Sequence, residues 1–525
     1  MTPPDGAPGS PLPQGPTPRT LETFDSAYTV RIMLVLAGIA LTVLYIEGML
    51  TPSLPTIQRE FGIDEGQASL ILSSYAISGV ALSPVIGKLG DIYGKRRVLI
   101  GVMLGYAVSV SVTGFSPNFE FMVAARTVQG IGLTILPLGM ALVREEFPRE
   151  LVPRAQGILS AMFGVGFAVS LPLGSWVSQT YGWRWTYHSA IPFVLALTVS
   201  VILFLRESPY RRPSARVDYL GAVLLGGALT GWVAALSEGQ AWGWLSLPTV
   251  GFAAAGTALL VPFVLAERSW RAQGREPIVD SRLLRERNVA VTNIVLTVAG
   301  LGMFLALFAM IYQLEGFPAS GGYHQNILHA GLDILPLAVA MIVVAPVASI
   351  YVSRTGVKPL ALAGAVLTAL GFYLVSEATT LDQAMVYEFV VGSGMALLNA
   401  SIVNLLVLTV DPKDMGQATA MNNVFRNLGS SVGAPIAGSL LSTYLVTSGP
   451  FAGVPAHAAF QYAFWIAAAA TVVGGLLVVF GEEVLGPRRH EKFRHLPVLA
   501  PTRRSPGATV EPPSGAGPAL EAARP

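Results

Sequence analysis

Apolar segments about 20 residues long recur along most of this chain, and they restrict its possible folds more than any other feature. Each is long enough to cross a hydrocarbon core of roughly 30 Å as a helix. Of the 525 residues, 52% are hydrophobic and 12% are charged, whereas about a quarter of a soluble domain is charged. The apolar runs are continuous and do not alternate, which favours helices over a β-barrel. The sequence therefore predicts an all-α integral membrane protein.

Fourteen candidate membrane-spanning helices lie between two tails rich in Pro and Gly. The tails, residues 1–30 and 481–525, have a composition typical of disordered segments. The candidate helices lie at about 31–54, 67–88, 98–115, 119–143, 154–178, 187–205, 219–236, 248–266, 289–313, 330–353, 359–377, 384–408, 416–445 and 459–480. Lys and Arg are concentrated on alternate connections, which predicts that those connections and both tails are cytoplasmic. We expect a multi-pass protein of the cell (plasma) membrane.

An internal repeat is visible in the sequence. "RTVQGIG" at 126–132 in the fourth candidate helix has the same spacing as "EFVVGSG" at 388–394 in the twelfth. A second match lies between the connection after the second helix and "SRTGVKP" at 353–359, after the tenth. Both matches pair helix n with helix n+8. The repeat predicts six helices at 31–205, an inserted pair at 206–288 and six more helices at 289–480. Two related halves with a substrate between them are a common plan for transporters.

The segment "GKLGDIYGKRR" at 87–97 concentrates charge and glycine between two apolar runs. Its glycines allow a tight turn and close helix contact, and its Asp could accept a charge-assisted bond from an Arg or cap another helix. Such a contact could serve as a gate, whereas the cations could also do no more than set topology. The candidate gating residues are Gly87, Asp91, Gly94, Lys95, Arg96 and Arg97.

These residues resemble the signature loop of the major facilitator superfamily. "RTVQGIG", "WGW" at 242–244, "AGLDILP" at 330–336 and "NNVFRNLGSSVG" at 422–433 resemble its fourteen-helix drug:proton antiporter branch. The resemblance implies a major-facilitator-type fold of fourteen transmembrane helices (6+2+6). It also implies that the signature loop locks the cytoplasmic side while the outside is open.

Two ionisable residues lie at matching depth inside candidate helices. Glu47 lies seven residues before Leu54, and Arg126 lies seven residues past Phe119, so each is about 10 Å below the outer face. Ionisable groups at such a depth suggest function. We hypothesise that Glu47 binds a proton and that Arg126 tunes it; a fixed ion pair or a polar cavity is the alternative. In the related branch the acid aligns with Ile46, one position earlier.

Further polar residues inside the candidate helices could line a substrate cavity or join helices by hydrogen bonds. They are Gln129, Glu388, Asn399, Asn404, Asn423, Arg426 and Asn427. Glu388 is also a second candidate acid, expected about one turn deep, where it could simply contact water. Small or kinking residues are expected to allow close helix packing. They are Gly130 and Gly132, and in the fifth helix Gly166, Pro172 and Gly174, which partly resemble the exporter motif of the superfamily.

The chain has no phosphate-binding loop, no His-Glu-x-x-His motif and no cysteine, so we expect no ATP-driven pumping, metal site, cofactor or enzymatic activity. The predicted function is proton-coupled export of lipophilic or amphipathic small molecules by alternating access. Uptake symport of a metabolite is the alternative, and a membrane enzyme or sensor is the alternative of a different class. Expected partners are the substrate, protons and the lipid bilayer, with no nucleic acid, and the protein is expected to be a monomer.

Overall fold

The computed structural model describes residues 26–147, 151–207, 216–275, 277–279, 282–410 and 415–482. Within these ranges the regular secondary structure is helical, apart from one isolated β-bridge between Leu445 and Pro455. Twelve helical segments are long and apolar enough to cross a membrane. The chain is therefore an all-helical, multi-pass membrane protein, as predicted.

We number the long helices α1–α14 in chain order. The first six are α1 (Ser26–Gly48, continuing as Leu54–Phe61), α2 (Glu65–Tyr93), α3 (Lys95–Gly114), α4 (Phe119–Gln129, continuing as Ile135–Glu146), α5 (Val152–Tyr181) and α6 (Trp183–Phe204). The others are α7 (Tyr219–Trp242), α8 (Leu247–Ala272), α9 (Arg287–Glu315), α10 (Ile327–Asp333, continuing as Leu335–Thr355), α11 (Val357–Ser376), α12 (Leu381–Thr409), α13 (Met415–Thr443) and α14 (His457–Val479). The twelve apolar spans are all of these except α5 and α13, which are 30 and 29 residues long.

The signature segment is more helical than the sequence analysis predicted. Helix α2 runs on to Tyr93 instead of ending near residue 88, so Gly87 and Asp91 lie inside it. Gly94 alone separates α2 from α3, and its φ of 103° is open to glycine but strained for other residues. A single residue therefore makes the connection.

The predicted repeat is present in the backbone. Helices α2 and α10 begin with side-chain caps at Asp64 and Asn326, and α4 and α12 begin with caps at Asn118 and Thr380. Gly94 and Gly356, with φ of 103° and 96°, end α2 and α10. The two members of each pair are separated by the same number of residues along the chain. Helices α10–α12 therefore repeat α2–α4 in register.

The helices end at two faces, which we call the Asp64 face, where α2 begins, and the Asp91 face, where α2 ends. Helix α2 packs against α13, and α5 packs against α10. At the Asp64 face both contacts depend on glycine: a Cβ on Gly438 would lie 2.5 Å from the Glu65 carbonyl oxygen, and one on Gly331 would lie 2.8 Å from that of Leu171. These contacts bring α1–α6 against α9–α14 at this face.

The inserted pair packs on the side of this junction. Helix α7 contacts both α2 and α13, whereas α8 packs mainly on α7. At the Asp64 face, the hydroxyls of Ser69 and Ser237 are 3.0 Å apart, and Thr443 donates to Gln240 at 3.3 Å. Helix α7 therefore bridges the two sets of helices. Only 17% of the most apolar 18-residue stretch of α8 is buried, so α8 lies at the periphery.

Candidate functional site

Glu47 lies on the inside of the helix assembly, near the end of the first segment of α1. Its Oε2 atom is buried and makes no hydrogen bond with any residue that the structure describes. The carboxyl group interacts electrostatically with Arg126 of α4 and Arg426 of α13. Its neighbour Ile46 is fully buried in the hydrophobic core. Glu47 therefore faces the arginines, and Ile46, where the related branch has its acid, faces the core.

Arg126 is almost fully buried, with 1% of its surface exposed. Its Nε donates to the Ile71 carbonyl oxygen of α2 at 3.0 Å. Its Cζ lies 4.7 Å from the centre of the Tyr75 ring, a cation–π distance. The Nη1 atom is buried without a hydrogen bond in the described part of the chain. The sequence analysis placed Arg126 and Glu47 at one depth, and the structure brings them into electrostatic contact without a direct ion pair among the described residues.

Three tyrosines surround Arg126, and the sequence analysis did not select them. They are Tyr75, Tyr106 and Tyr187, which lie on α2, α3 and α6 and are each at most 2% exposed. Their hydroxyls are buried and lack a hydrogen bond of ordinary geometry within the described residues. We call this set the tyrosine cage. A buried tyrosine hydroxyl normally has a partner, so the cage has donors and acceptors to spare beside the guanidinium.

Gln129 lies one turn from Arg126 and is fully buried. Its Oε1 accepts a hydrogen bond from the Thr113 hydroxyl at 3.2 Å. Its Nε2 is buried without a partner in the described ranges. Gln129 therefore extends the polar region around Arg126 toward α3.

Arg426 brings a second guanidinium to Glu47 from α13. Its Nη2 donates to the Asn423 side chain at 3.4 Å, and Asn423 in turn donates to the Thr419 carbonyl oxygen at 3.2 Å. The neighbouring Asn422 bonds across to Asn293 of α9 at 3.3 Å, so it joins helices. Asn427 is half-buried one residue past Arg426. The polar cluster predicted in α13 thus divides into an interhelical contact and a group beside Glu47.

The polar residues of α12 behave differently from one another. Asn399 and Asn404 donate to carbonyl oxygens of their own helix, at Met395 (3.0 Å) and Ala400 (2.7 Å). Glu388 is 1% exposed, and its Oε2 is buried without a hydrogen bond among the described residues. The expectation that Glu388 simply contacts water is therefore wrong, because α10 packs over it.

The charged end of α2 is tied to its neighbours by a buried lysine. Lys95 Nζ lies 2.8 Å from Asp91 Oδ1 and 2.8 Å from Glu145 Oε1 of α4, and its side chain is 7% exposed. The carboxylate of Glu207, which follows α6, accepts from the Arg96 backbone N–H at 3.1 Å and lies 3.8 Å from Arg97 Nε. Asp91 was expected to bond an arginine or cap a helix, but Lys95 is its partner. These contacts join α2, α3, α4 and the segment after α6.

Glycines bring neighbouring helices close to the site. Gly130 contacts Tyr75 and Ser78 of α2, and Gly132 contacts the Tyr106 ring. In α5, which contains Pro172, a Cβ on Gly166 would meet Leu44 at 2.5 Å and one on Gly174 would meet the Met49 carbonyl oxygen at 2.5 Å. The two α5 contacts lie on either side of Glu47 in sequence, so α5 holds this part of α1 in place. Gly87, in contrast, faces open space.

Comparison with known proteins identifies relatives along most of the chain. A family model described as Major Facilitator Superfamily matches residues 36–434 and 292–510. An uncharacterized MFS-type transporter of Mycobacterium tuberculosis is 30% identical over 429 residues, which cover 78% of this chain and 60% of that protein. This chain therefore spans about three fifths of the length of that relative.

Two further proteins resemble the chain. Multidrug resistance protein Stp of Mycobacterium tuberculosis is 28% identical over 427 residues, covering 79% of this chain and 77% of its own. A crystal structure of a D-xylose–proton symporter superposes with a TM-score of 0.61 at 16% identity, covering 87% of this chain and 98% of its own. The latter likeness concerns the fold alone.

Proposed function

Since the chain belongs to the major facilitator superfamily, as the sequence analysis predicted, we propose that it is a proton-coupled exporter of lipophilic or amphipathic small molecules. Membership of this superfamily supports transport over an enzymatic activity. The proposal adds three statements to that membership: the direction is outward, protons moving inward supply the energy, and the protein works by alternating access.

The proposed architecture is 6+2+6, with α1–α6 and α9–α14 as two bundles and α7–α8 inserted between them. This division corresponds to 31–205, 206–288 and 289–480, and it takes α5 and α13 as spanning helices. Their lengths of 30 and 29 residues are sufficient for a span. The cations of the Asp91 face assign it to the cytoplasm together with both tails, 1–30 and 481–525, and the membrane is the plasma membrane. The Asp64 face is then external, and the structure corresponds to a state closed toward the outside.

One observation carries the coupling proposal: the buried carboxyl of Glu47 interacts electrostatically with both Arg126 and Arg426, and one of its oxygens lacks a hydrogen bond among the described residues. Arg126 belongs to α1–α6 and Arg426 to α9–α14. The ionised carboxylate attracts both cations, whereas a protonated carboxyl no longer attracts them. A proton on Glu47 therefore weakens an electrostatic link between the two bundles, and its release restores the link.

The polar region around this link is the proposed substrate cavity. Gln129, Arg426 and the tyrosine cage offer hydrogen bonds and aromatic surface, which suits amphipathic molecules. Asn399, Asn404, Asn423, Asn427 and Glu388 are further candidates. The expected partners are the substrate, protons and lipid, without cofactor or nucleic acid, and the transporter acts as a monomer.

The name of the multidrug resistance relative supports export over uptake. The test is ethidium accumulation in cells with and without the protein. Expressing cells should retain less dye, and an ionophore that collapses the proton gradient should remove the difference. Greater accumulation in expressing cells would support the uptake symporter instead. If purified protein in liposomes moves no candidate solute under a proton gradient, a sensor or another non-transporting role replaces the proposal.

A further inference from the structure

The repeat relates the Arg126 site to a second place in the structure. Gly130 of α4 contacts Tyr75 of α2, and Gly392 of α12 contacts Leu337 of α10 in the same way. The number of residues from Gly130 to Gly392, and from Tyr75 to Leu337, equals the number that separates the paired helix caps. The crossing of α10 and α12 is therefore the counterpart of the crossing of α2 and α4.

The side chains one helical turn before the contact differ between the two crossings. Four residues before Gly130 and Tyr75, Arg126 donates to the Ile71 carbonyl oxygen. The corresponding residues of the second crossing are Glu388 and Asp333. Helices α10 and α12 run in the same direction, because α11 between them runs in the opposite one. Positions one turn before a shared contact therefore lie side by side at the same depth.

Both acidic side chains are buried, with one oxygen of each carboxyl out of contact with water. Glu388 is 1% exposed and Asp333 is 8% exposed. Glu388 Oε2 and Asp333 Oδ2 are buried without hydrogen bonds in the described part of the chain. The two groups interact electrostatically with each other. Two neighbouring carboxylates in a low-dielectric interior repel each other, so they are far more stable when one holds a proton.

Among the described residues, the other titratable groups that interact with the pair supply no buried cation. His329, one turn before Asp333 on α10, interacts with it but is exposed and lies 2.9 Å from the Asn326 side chain. Tyr323, in the segment before α10, faces Glu388 and donates to the Ala378 carbonyl oxygen at 3.0 Å. Burial raises the pKa of Tyr323 to about 12, so its phenol stays neutral. Leu171 and Ser175 of α5, which pack on Gly331, carry no charge.

We propose that Asp333 and Glu388 form a second proton-binding site, in which the two carboxyls share one proton. Its location suggests a use. Gly331, two residues before Asp333, contacts Leu171 and Ser175 of α5 where α1–α6 meet α9–α14 at the Asp64 face. Loss of the shared proton would place a second negative charge beside this junction and favour its opening. This use in transport rests on the proposed function, whereas proton binding by the pair does not.

The test is an infrared pH titration of the full-length protein in lipid nanodiscs without any substrate. It follows the C=O band of protonated carboxyls. The variants are Glu388→Gln and Asp333→Asn, with Glu47→Gln and Glu315→Gln to remove two further buried acids. Asp382→Asn is the control, because Asp382 is an exposed acid in the first turn of α12.

The wild type should retain a protonated carboxyl at pH 7 that Glu47→Gln, Glu315→Gln and Asp382→Asn leave in place. Glu388→Gln and Asp333→Asn should each make the remaining acid lose its proton at a pH lower by about one unit or more, because the neighbouring carboxylate is gone. Both substitutions are nearly isosteric, and one variant that folds is enough to test the proposal. A wild type with no such carboxyl at pH 7, or a titration that neither variant changes, would overturn the proposal. Since no substrate is present, a failure of the export proposal leaves this result unaffected.

Discussion

Arg126 donates its Nε–H to the Ile71 carbonyl oxygen and leaves Glu47 without a direct ion pair among the described residues. A backbone carbonyl cannot change its charge, so this bond holds the guanidinium in one position whatever the protonation state of Glu47. The cation–π contact with Tyr75 also fixes it. The positive charge is therefore a constant part of the site, and the carboxyl is the part that can change.

Replacement of Arg126 by Lys should keep the fold but lower ethidium efflux by about tenfold or more. The ammonium retains the charge but lacks the planar guanidinium that reaches Ile71 and stacks on Tyr75 at once. Arg126→Ala should go further and lower the unfolding free energy by about 1–3 kcal/mol, because the buried Ile71 carbonyl oxygen loses its hydrogen-bond donor. Efflux assays and denaturant titrations in detergent measure the two effects. Arg268→Lys is the control, since Arg268 is an exposed residue near the end of the peripheral helix α8. Full efflux by Arg126→Lys would show that charge alone suffices.

Glu47→Gln should strongly weaken the pH dependence of efflux and lower its rate at the pH optimum by about tenfold, equivalent to ~1.4 kcal/mol. An amide neither binds nor releases a proton, so the attraction between Glu47 and Arg426 can no longer be switched. Glu47→Asp should keep the pH dependence with a lower rate. The measurement is dye efflux from liposomes at a series of internal and external pH values. Glu120→Gln, at an exposed acid in the first turn of α4, is the matched control. An unchanged pH profile would remove Glu47 from coupling.

The helices and the repeat were predictable because hydrophobicity, glycine spacing and capping residues are local signals. Depth was predictable too, because a helix rises by a constant amount per residue, and that placed Glu47 and Arg126 together. Rotation about the helix axis was not. Whether Glu47 or Ile46 faces the arginines depends on how α5 packs on α1 at Gly166 and Gly174. The sequence of one helix alone does not determine that packing.

Groups of residues that come together from several helices could not be predicted from the sequence either. The tyrosine cage comes from three helices, and a tyrosine in an apolar run is common in cores. Glu388 was expected near water because the predicted helix began near residue 384, only one turn before it, but contact of α10 with Gly392 covers it. An available signal was the alignment of the two halves, which matches Glu388 with Arg126 and therefore indicates a buried position.

Gly438→Val should hold the Asp64 face open. A Cβ at Gly438 would lie 2.5 Å from the Glu65 carbonyl oxygen, so a branched side chain forces α13 away from α2. The chain has no cysteine, which allows a single probe at Ser237, a residue 1% exposed at this junction. In the Ser237→Cys background, a membrane-impermeant maleimide should react several-fold faster when Gly438→Val is added, and efflux should be lost.

Gly101→Val is the control for that experiment, because no heavy atom lies within 4 Å of the Cβ position at Gly101. It should change neither labelling nor efflux. If Gly438→Val leaves the labelling rate of Ser237→Cys unchanged and transport intact, the α2–α13 contact is not a closure of this face.

Lys95→Met should destabilise the Asp91 face by about 1–3 kcal/mol. The Lys95 ammonium lies between Asp91 and Glu145, whose side chains are 27% and 18% exposed, so its removal leaves two partly buried carboxylates facing each other. The expected loss is smaller than for a fully buried pair because water still reaches both acids. Thermal unfolding in detergent is the measurement, with Arg97→Met as the exposed control. Adding Asp91→Asn and Glu145→Gln to Lys95→Met should restore most of the stability, because the repulsion disappears. A triple variant no more stable than Lys95→Met would show that Lys95 acts through packing of its alkyl chain and not through charge.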